Sequence, residues 1–406
     1  MNALINARSM GKEEVIQKIR EAGLREYGVF NSLLANKWNE DVEANKEWNV
    51  PMKLVVALNN NDMDHAMLGL FETLQTEILG GVLISAYALE AETMEIYVPE
   101  GETETYNKLK QAAKEHEINV LEGMVNVREC RGASINHIAT MAMVGQLFAG
   151  AYKKRTWISV CENDKHGNLL DLEYGTAIRD ISGVRTENVK AVLIGSTLYD
   201  STGLDLVIEE DTNIGNGVIR VFSNEDCIID SQEKLLMKER ESGCGRCTFC
   251  REGLIQLYVH TKDITEGKGK KEAVSMMEEI GKAMTFSCQC SVGLRGADFV
   301  LGSLKYFMNE YTEHISKKNC PANVCTSFTS IYIDPNLCEG CEACADACPK
   351  GCIEGKSGYI HMIDEFDCDK CGKCINACEH NAVLQTSGRV PKLPERLIKC
   401  GKFKKH

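Results

Sequence analysis

Apolar and polar positions alternate in two periods along this chain. Residues 11–26 mix charged and apolar side chains at helical spacing, which predicts a first helix. MKLVVAL (52–58) predicts a buried strand, and 65–89 carries the apolar spacing of one or two helices. MEIYV (94–98) predicts the next strand and YNKLKQAAKEHE (106–117) the next helix. Strands that alternate with helices imply an α/β sheet. Beyond residue 150 the pattern changes. TWISVCE, KAVLIGS and LDLVIEE are short apolar stretches separated by glycines and charges. Residues 226–318 read as mostly helical, including KKEAVSMMEEIGKAM. Linkers are expected near 148–154, 211–217 and 316–328.

The 406 residues leave room for about three domains. An apolar share of 44% excludes disorder by composition. Against 46 Lys and Arg stand 59 Asp and Glu, a net charge of −13, which argues against nucleic acid as a partner. No apolar run reaches the roughly eighteen residues of a membrane span. The start, MNALINARSMGKEE, lacks the charged and apolar regions of a secretory signal. A cytoplasmic, reducing location is therefore expected. Twenty cysteines in such a place point to metal and not to disulfides.

Only Cys130, Cys161 and Cys227 precede residue 240, so a thiol-poor front meets a metal-rich back. Cys338, Cys341, Cys344 and Cys348 read C-x2-C-x2-C-x3-C, followed by Pro349. Cys368, Cys371, Cys374 and Cys378 repeat that spacing thirty residues later, with Glu379 in place of the proline. This duplication is the sequence sign of a two-cluster bacterial ferredoxin. In that pattern the fourth cysteine of each run serves the other cluster. One [4Fe–4S] set is thus Cys338, Cys341, Cys344 and Cys378; the other is Cys368, Cys371, Cys374 and Cys348. Paired structural zinc sites are the weaker reading, because zinc knuckles rarely cross their fourth ligand. Gly340 and Gly372 are expected to let backbone amides approach the cluster sulfurs.

Upstream, Cys244, Cys247 and Cys250 form a third triplet that lacks a fourth thiol. Cys288 or Cys290 should complete a third [4Fe–4S] cluster. Of the remaining thiols, His314-x5-Cys320-x4-Cys325 has zinc-ligand types and spacing, with Cys400 as the candidate fourth group. The alternative is a set of free thiols at a linker. The histidines His65, His116, His137, His166, His260, His361, His380 and His406 show no ligand pattern. No nucleophile elbow, HExxH or Walker loop appears.

ESGCGRCTFCREG (241–253) resembles the cluster signature of the NADH-binding flavoprotein subunit of respiratory complex I. Beta subunits of multimeric, electron-bifurcating [FeFe]-hydrogenases and NAD-linked formate dehydrogenases share it. FSCQCSVGLRGADFVLGSLKYFMNEYTEHI (286–315) resembles the stretch that follows, and counting back from Leu304-Lys305-Tyr306-Phe307 puts the family's fourth cysteine at Cys290. CPANVC (320–325) and the appended ferredoxin resemble the hydrogenase-type beta subunits in particular.

The resemblance implies a front half built as a flavin domain with its chemistry removed. Against the family's G-L-R-G-R-G-G-A-G-F-P-T-G-x-K-W stands GLREYGVFNSLLANKW (23–38). Glu26, Val29, Asn31 and Ala35 replace glycines that let amides close on a phosphate. Gly23, Leu24, Arg25, Gly28, Lys37 and Trp38 remain. In NNNDMDHA (59–66), Asn59, Asp62 and Asp64 match the next family segment, while His65 and Ala66 take its Pro-Gly places. Leu121-Glu122-Gly123 runs almost directly into Ser134-Ile135-Asn136-His137-Ile138-Ala139-Thr140, without the intervening flavin- and NADH-contacting blocks. FMN is therefore expected to be absent.

By resemblance the order is a degenerate α/β flavin domain (1–150), a soluble-ligand-binding β-grasp module (151–215), a helical cluster domain (216–325), a two-cluster ferredoxin domain (326–386) and a basic tail (387–406). The tail holds Arg389, Lys392, Arg396, Lys399, Lys402, Lys404 and Lys405 and is expected to be solvated or to dock an acidic face. Three cubanes without a flavin imply an electron conduit in an anaerobe. Its partners by resemblance are a hydrogenase or formate dehydrogenase catalytic subunit, a small thioredoxin-like cluster subunit and soluble ferredoxin. The alternatives are an FMN-containing diaphorase that oxidises NADH, and a subunit whose front half only organises a complex.

Overall fold

The computed structural model describes residues 2–162, 165–387 and 390–403. They form two compact units. The first holds the chain up to Asn224 with Lys234–Tyr258 and Met276–Phe307; the second holds Glu225–Glu233, Val259–Ser275 and the chain from Met308 on. Among the described residues no helix is long and apolar enough to cross a membrane.

The first unit opens with helices α1 (Asn2–Ser9), α2 (Lys12–Glu21) and α3 (Leu34–Trp48). Strands β1 (Lys53–Ala57), β2 (Thr93–Val98), β3 (Asn119–Glu122) and β4 (Ala133–His137) form a parallel sheet in the order β3-β2-β1-β4. Helices α4 (Gln75–Leu89), α5 (Thr103–Ala113) and α6 (Ile138–Ala149) connect or follow these strands. The expected alternation is therefore present from β1 to β3, whose parallel crossovers are helices, while β3 and β4 are joined by residues 123–132 without one. The helix expected over 11–26 is α2; it stops at Glu21 because the chain turns at Gly23 with φ 68°. Helices α1 and α3 were not foreseen: the polar composition of α3 hides a single buried stripe of Leu34, Ala35 and Trp38.

Helices α4 and α6 cross with almost no gap. A Cβ at Gly81 would stand 1.9 Å from the Met141 carbonyl oxygen, and one at Gly145 2.0 Å from that of Glu77. Only glycine permits this approach. It fixes α6, and with it the residues that lead into the helix.

A second sheet follows, made of β5 (Arg155–Glu162), β6 (Lys165–Glu173), β7 (Val189–Ile194), β8 (Thr197–Asp200) and β9 (Val218–Ser223). Its order is β6-β5-β9-β7-β8, with β5 and β9 parallel and the other pairs antiparallel. LDLVIEE contributes only the short strand Val207–Ile208, which pairs with Thr176–Ala177 outside this sheet.

Four helices carry the middle of the chain: α7 (Ile228–Ser242), α8 (Thr248–Thr265), α9 (Lys271–Ser287) and α10 (Ser291–Tyr306). Their residues are shared between the two units.

In the second unit the duplication becomes a pseudo-symmetric fold. The first half is β10 (Ser330–Ile333), a loop, α11 (Ala343–Asp346) and β11 (Ile353–Glu354). The second is β12 (Met362–Ile363), a loop, α12 (Lys373–Ala377) and β13 (Val383–Thr386). β10 pairs with β13 and β11 with β12, both antiparallel. The tail is not simply solvated: Ile360 N–H donates to Ile398 O and Cys400 N–H to Gly358 O. Its Lys392, Arg396, Lys399 and Lys402 are exposed. Arg389, Lys404, Lys405, His406 and the side chain of His166 lie outside the described residues.

Candidate iron–sulfur and metal centres

One loop, the first turn of one helix and the start of another collect the first group of thiols. Cys244 and Cys247 lie between α7 and α8, and Cys250 sits in the first turn of α8. Cys290 takes the N-cap position of α10. Burial, with the neighbouring thiols Cys250, Cys244 and Cys247, pushes the Cys290 thiol up to about 11. A bound cation would hold such a group as a thiolate. Cys288 joins them. A Cβ at Gly293 would meet the Cys288 sulfur at 2.5 Å and the Cys250 sulfur at 3.1 Å. Both candidate fourth cysteines thus stand at the triplet.

In the ferredoxin-like module the crossed pattern appears in space. Cys338, Cys341, Cys344 and Cys378 line one small pocket. Cys348, Cys368, Cys371 and Cys374 line another. Backbone amides point at the sulfurs: Lys370 N–H donates to Cys368 Sγ at 3.4 Å and Ala382 N–H to Cys378 Sγ at 3.3 Å. Such donors offset thiolate charge. Gly340 serves a different purpose from the one expected. A Cβ there would stand 2.6 Å from Tyr359 N and 2.7 Å from Gly358 N, so the glycine admits a neighbouring strand of backbone.

The fourth centre needs a correction. His314, Cys320 and Cys325 do come together, but the fourth group is Cys227 and not Cys400. Ligand atoms of Cys227, His314, Cys320 and Cys325 all lie within 4.8 Å of one another, and all four residues are buried. His314 Nε2 is 3.4 Å from both Cys227 Sγ and Cys325 Sγ, and those two sulfurs are 3.7 Å apart. His314 Nδ1 lies 2.8 Å from Glu310 O, which as an N–H donor leaves the Nε2 lone pair facing the thiols. Three soft sulfurs and one imidazole at this spacing suit tetrahedral zinc. Cys400 instead interacts with Cys338 in the ferredoxin-like module. No local spacing links Cys227 to the trio, because the turn after β9 brings it there.

The glycine-poor loop 23–38 has a defined role. Glu26 is buried, and its Oε1 accepts from His137 N–H at 2.6 Å and from the Thr140 hydroxyl at 3.0 Å. A carboxylate thereby occupies the N-terminus of α6, the place a helix offers to an anion. Retained Lys37 is held by Asp41 at 2.9 Å, and retained Trp38 donates to Asn136 Oδ1 at 3.0 Å. Asp62 accepts from the backbone of Ala66 and Met67, Asn59 donates to Gly215 O, and Asp64 pairs with Lys238. A cavity of about 1040 Å³ remains beside the carboxyl ends of β1 and β4, lined by Phe30, Trp48, Arg131, His137 and Cys290.

Burial raises the Glu26 carboxyl from 4.5 to about 7, although Lys37 pulls the other way. The folded chain therefore keeps a proton that the unfolded chain loses, and stability falls as pH rises from about 4.5 through 7. Above that window the charged form costs on the order of 3 kcal/mol. Glu26→Gln is expected to raise the thermal midpoint at pH 8 and to leave it nearly unchanged at pH 4.5. An equal shift at both pH values would count against a strained carboxylate.

Comparison with known proteins places these centres. Residues 233–314 match the family described as the NADH-ubiquinone oxidoreductase-F iron-sulfur binding region, and residues 330–386 match the 4Fe-4S dicluster domain. The HndC protein of the NADP-reducing hydrogenase of Solidesulfovibrio fructosivorans is 33% identical over 148 residues, 36% of this chain and 30% of that one. The F component of the NADH-quinone oxidoreductase of Streptomyces coelicolor is 31% identical over 108 residues, 27% of this chain and 24% of that one. Its Rickettsia bellii counterpart is 22% identical over 394 residues, 77% of this chain and 92% of that one. The matches thus span less than a third of the first two relatives. A NAD+-reducing [NiFe]-hydrogenase in the H2-reduced state has a chain of the same fold, with TM-score 0.64, 15% identity and coverage of 78% of this chain and 65% of that one. The chain is an iron–sulfur protein homologous to hydrogenase and NADH-quinone oxidoreductase subunits.

Proposed function

We propose that this chain is an electron relay within a multisubunit redox complex. The observation that carries the reading is the gathering of the predicted cysteines into three separate thiol groups. We assign one [4Fe–4S] cluster to Cys244, Cys247, Cys250 and Cys290, a second to Cys338, Cys341, Cys344 and Cys378, and a third to Cys368, Cys371, Cys374 and Cys348. A [4Fe–4S] centre takes up and releases one electron at a time. The chain's own part is to supply thiolates, to aim amides at them and to exclude water. Zinc at Cys227, His314, Cys320 and Cys325 is a structural clasp in this reading, with no open position for a substrate.

A flavin phosphate fits poorly in the front half. Glu26 holds the His137 amide that a phosphate would need, and side chains stand at four former glycines. FMN is absent in this reading. The front sheet (1–150) and the five-stranded sheet (151–215, a β-grasp-like module) act as scaffold beside the helical segment (216–325), the ferredoxin-like domain (326–386) and the tail (387–406). Electrons pass to or from a hydrogenase or formate dehydrogenase catalytic subunit, with a small thioredoxin-like cluster subunit or soluble ferredoxin as further partners. The cavity of about 1040 Å³ and the retained Lys37–Trp38 pair favour one competitor, a diaphorase that binds FMN and oxidises NADH.

The two readings separate on the purified, anaerobically reconstituted chain. The relay predicts about twelve irons per chain, no stoichiometric FMN and no NADH-driven dye reduction. Tightly bound flavin with NADH-dependent dye reduction would replace the relay by the diaphorase.

A further inference from the structure

The two halves of the ferredoxin-like module differ at one chemically decisive position. Four residues after Cys348 stands Cys352; four residues after Cys378 stands Ala382. The backbone does the same work in both halves. Ala382 N–H donates to Cys378 Sγ at 3.3 Å, and the Cys352 amide likewise hydrogen-bonds Cys348. Only the side chain differs. Cys352 is buried, lines the cavity with Cys348, Cys368, Cys371 and Cys374, and places its sulfur 3.4 Å from Cys348 Sγ. Its sulfur also interacts with Cys368. The other cavity has four cysteines, and a methyl group, that of Ala382, where the fifth thiol would be.

We infer that Cys352 is a fifth thiol of the third cluster: it donates S–H to the Cys348 thiolate and can take over that ligand's place on the iron. The inference rests on the cubane assignment above. A ligand thiolate cannot donate, so the proton between the two sulfurs belongs to Cys352. Hydrogen bonds to ligand sulfur spread negative charge, and the reduced cluster carries more of it. The third cluster therefore has a higher potential than the same ligand set would have with alanine at 352. At the second cluster Ala382 stands at the equivalent place, and the extra thiol beside a ligand is Cys400, which reaches Cys338. If Cys348 is lost, Cys352 releases its proton to water and its thiolate binds the vacated iron.

The test uses the full chain, reconstituted anaerobically, with iron analysis and redox titration followed by electron paramagnetic resonance. Iron in the wild type, about twelve per chain, checks the cubane assignment by itself. Cys352→Ala is expected to keep that iron and to move one dicluster potential negative by about tenfold in the reduction equilibrium, about 59 mV for one electron. The other potential stays in place. Cys352→Ser, whose hydroxyl still donates, is expected to restore most of the shift. Cys348→Ala is expected to keep about twelve irons, and the Cys348→Ala/Cys352→Ala double variant about eight. Potentials unchanged in Cys352→Ala, or a cluster lost from Cys348→Ala alone, would overturn the inference.

Discussion

Cys290→Ala is expected to lower the iron content of the chain from about twelve to about eight atoms and to remove one of three reduced-cluster signals. Cys244→Ala, Cys247→Ala and Cys250→Ala should do the same, because a cubane with three protein thiolates is open to solvent. The informative comparison is Cys288→Ala, expected to keep all the iron. Both cysteines stand at the triplet, so proximity alone does not choose between them. Their places differ: Cys290 takes the N-cap of α10, while Cys288 directly follows the end of α9. The resemblance also counts the ligand to Cys290. Iron loss from Cys288→Ala with retention in Cys290→Ala would reverse the assignment.

The second large effect belongs to the buried Cys227, His314, Cys320 and Cys325 group. Cys227→Ala and His314→Ala are each expected to take bound zinc from about one ion per chain to none. Structural zinc contributes roughly 10–16 kcal/mol of binding energy in small domains, so loss of one ligand should cost the second unit several kcal/mol. Its thermal midpoint should fall by about 10 °C or more. The neighbourhood explains the severity. Gln232, Thr261 and Tyr311 form a buried hydrogen-bonded chain nearby in sequence, and Ile228 N–H donates to Glu310 carboxylate. A bound zinc would tie the turn at Cys227 to the segment that ends at Cys325. Cys400→Ala is the control, expected to leave zinc in place. Retained zinc in Cys227→Ala would return the fourth position to another group.

Much of the metal chemistry was written locally. The runs at 338–348 and 368–378 are loops short enough for spacing to dictate geometry, and the crossed fourth cysteine follows from the repeat. Strands at 53–57 and 93–98 were legible for a similar reason, since a buried parallel strand is a compact apolar run. Helix α3 was not, because its few buried side chains are diluted by charge.

By itself, then, the sequence determined the cysteine runs and their repeat, the side chains at 26, 29, 31 and 35, and the alternation of helices and strands in the front half. Tertiary structure alone decided that Cys227 completes the set around His314, that Glu26 accepts at the start of α6, and that Cys352 stands against Cys348. The division has a physical cause. Spacing within a few residues limits what one loop can reach, whereas contacts across 87 or 111 residues depend on how whole elements pack.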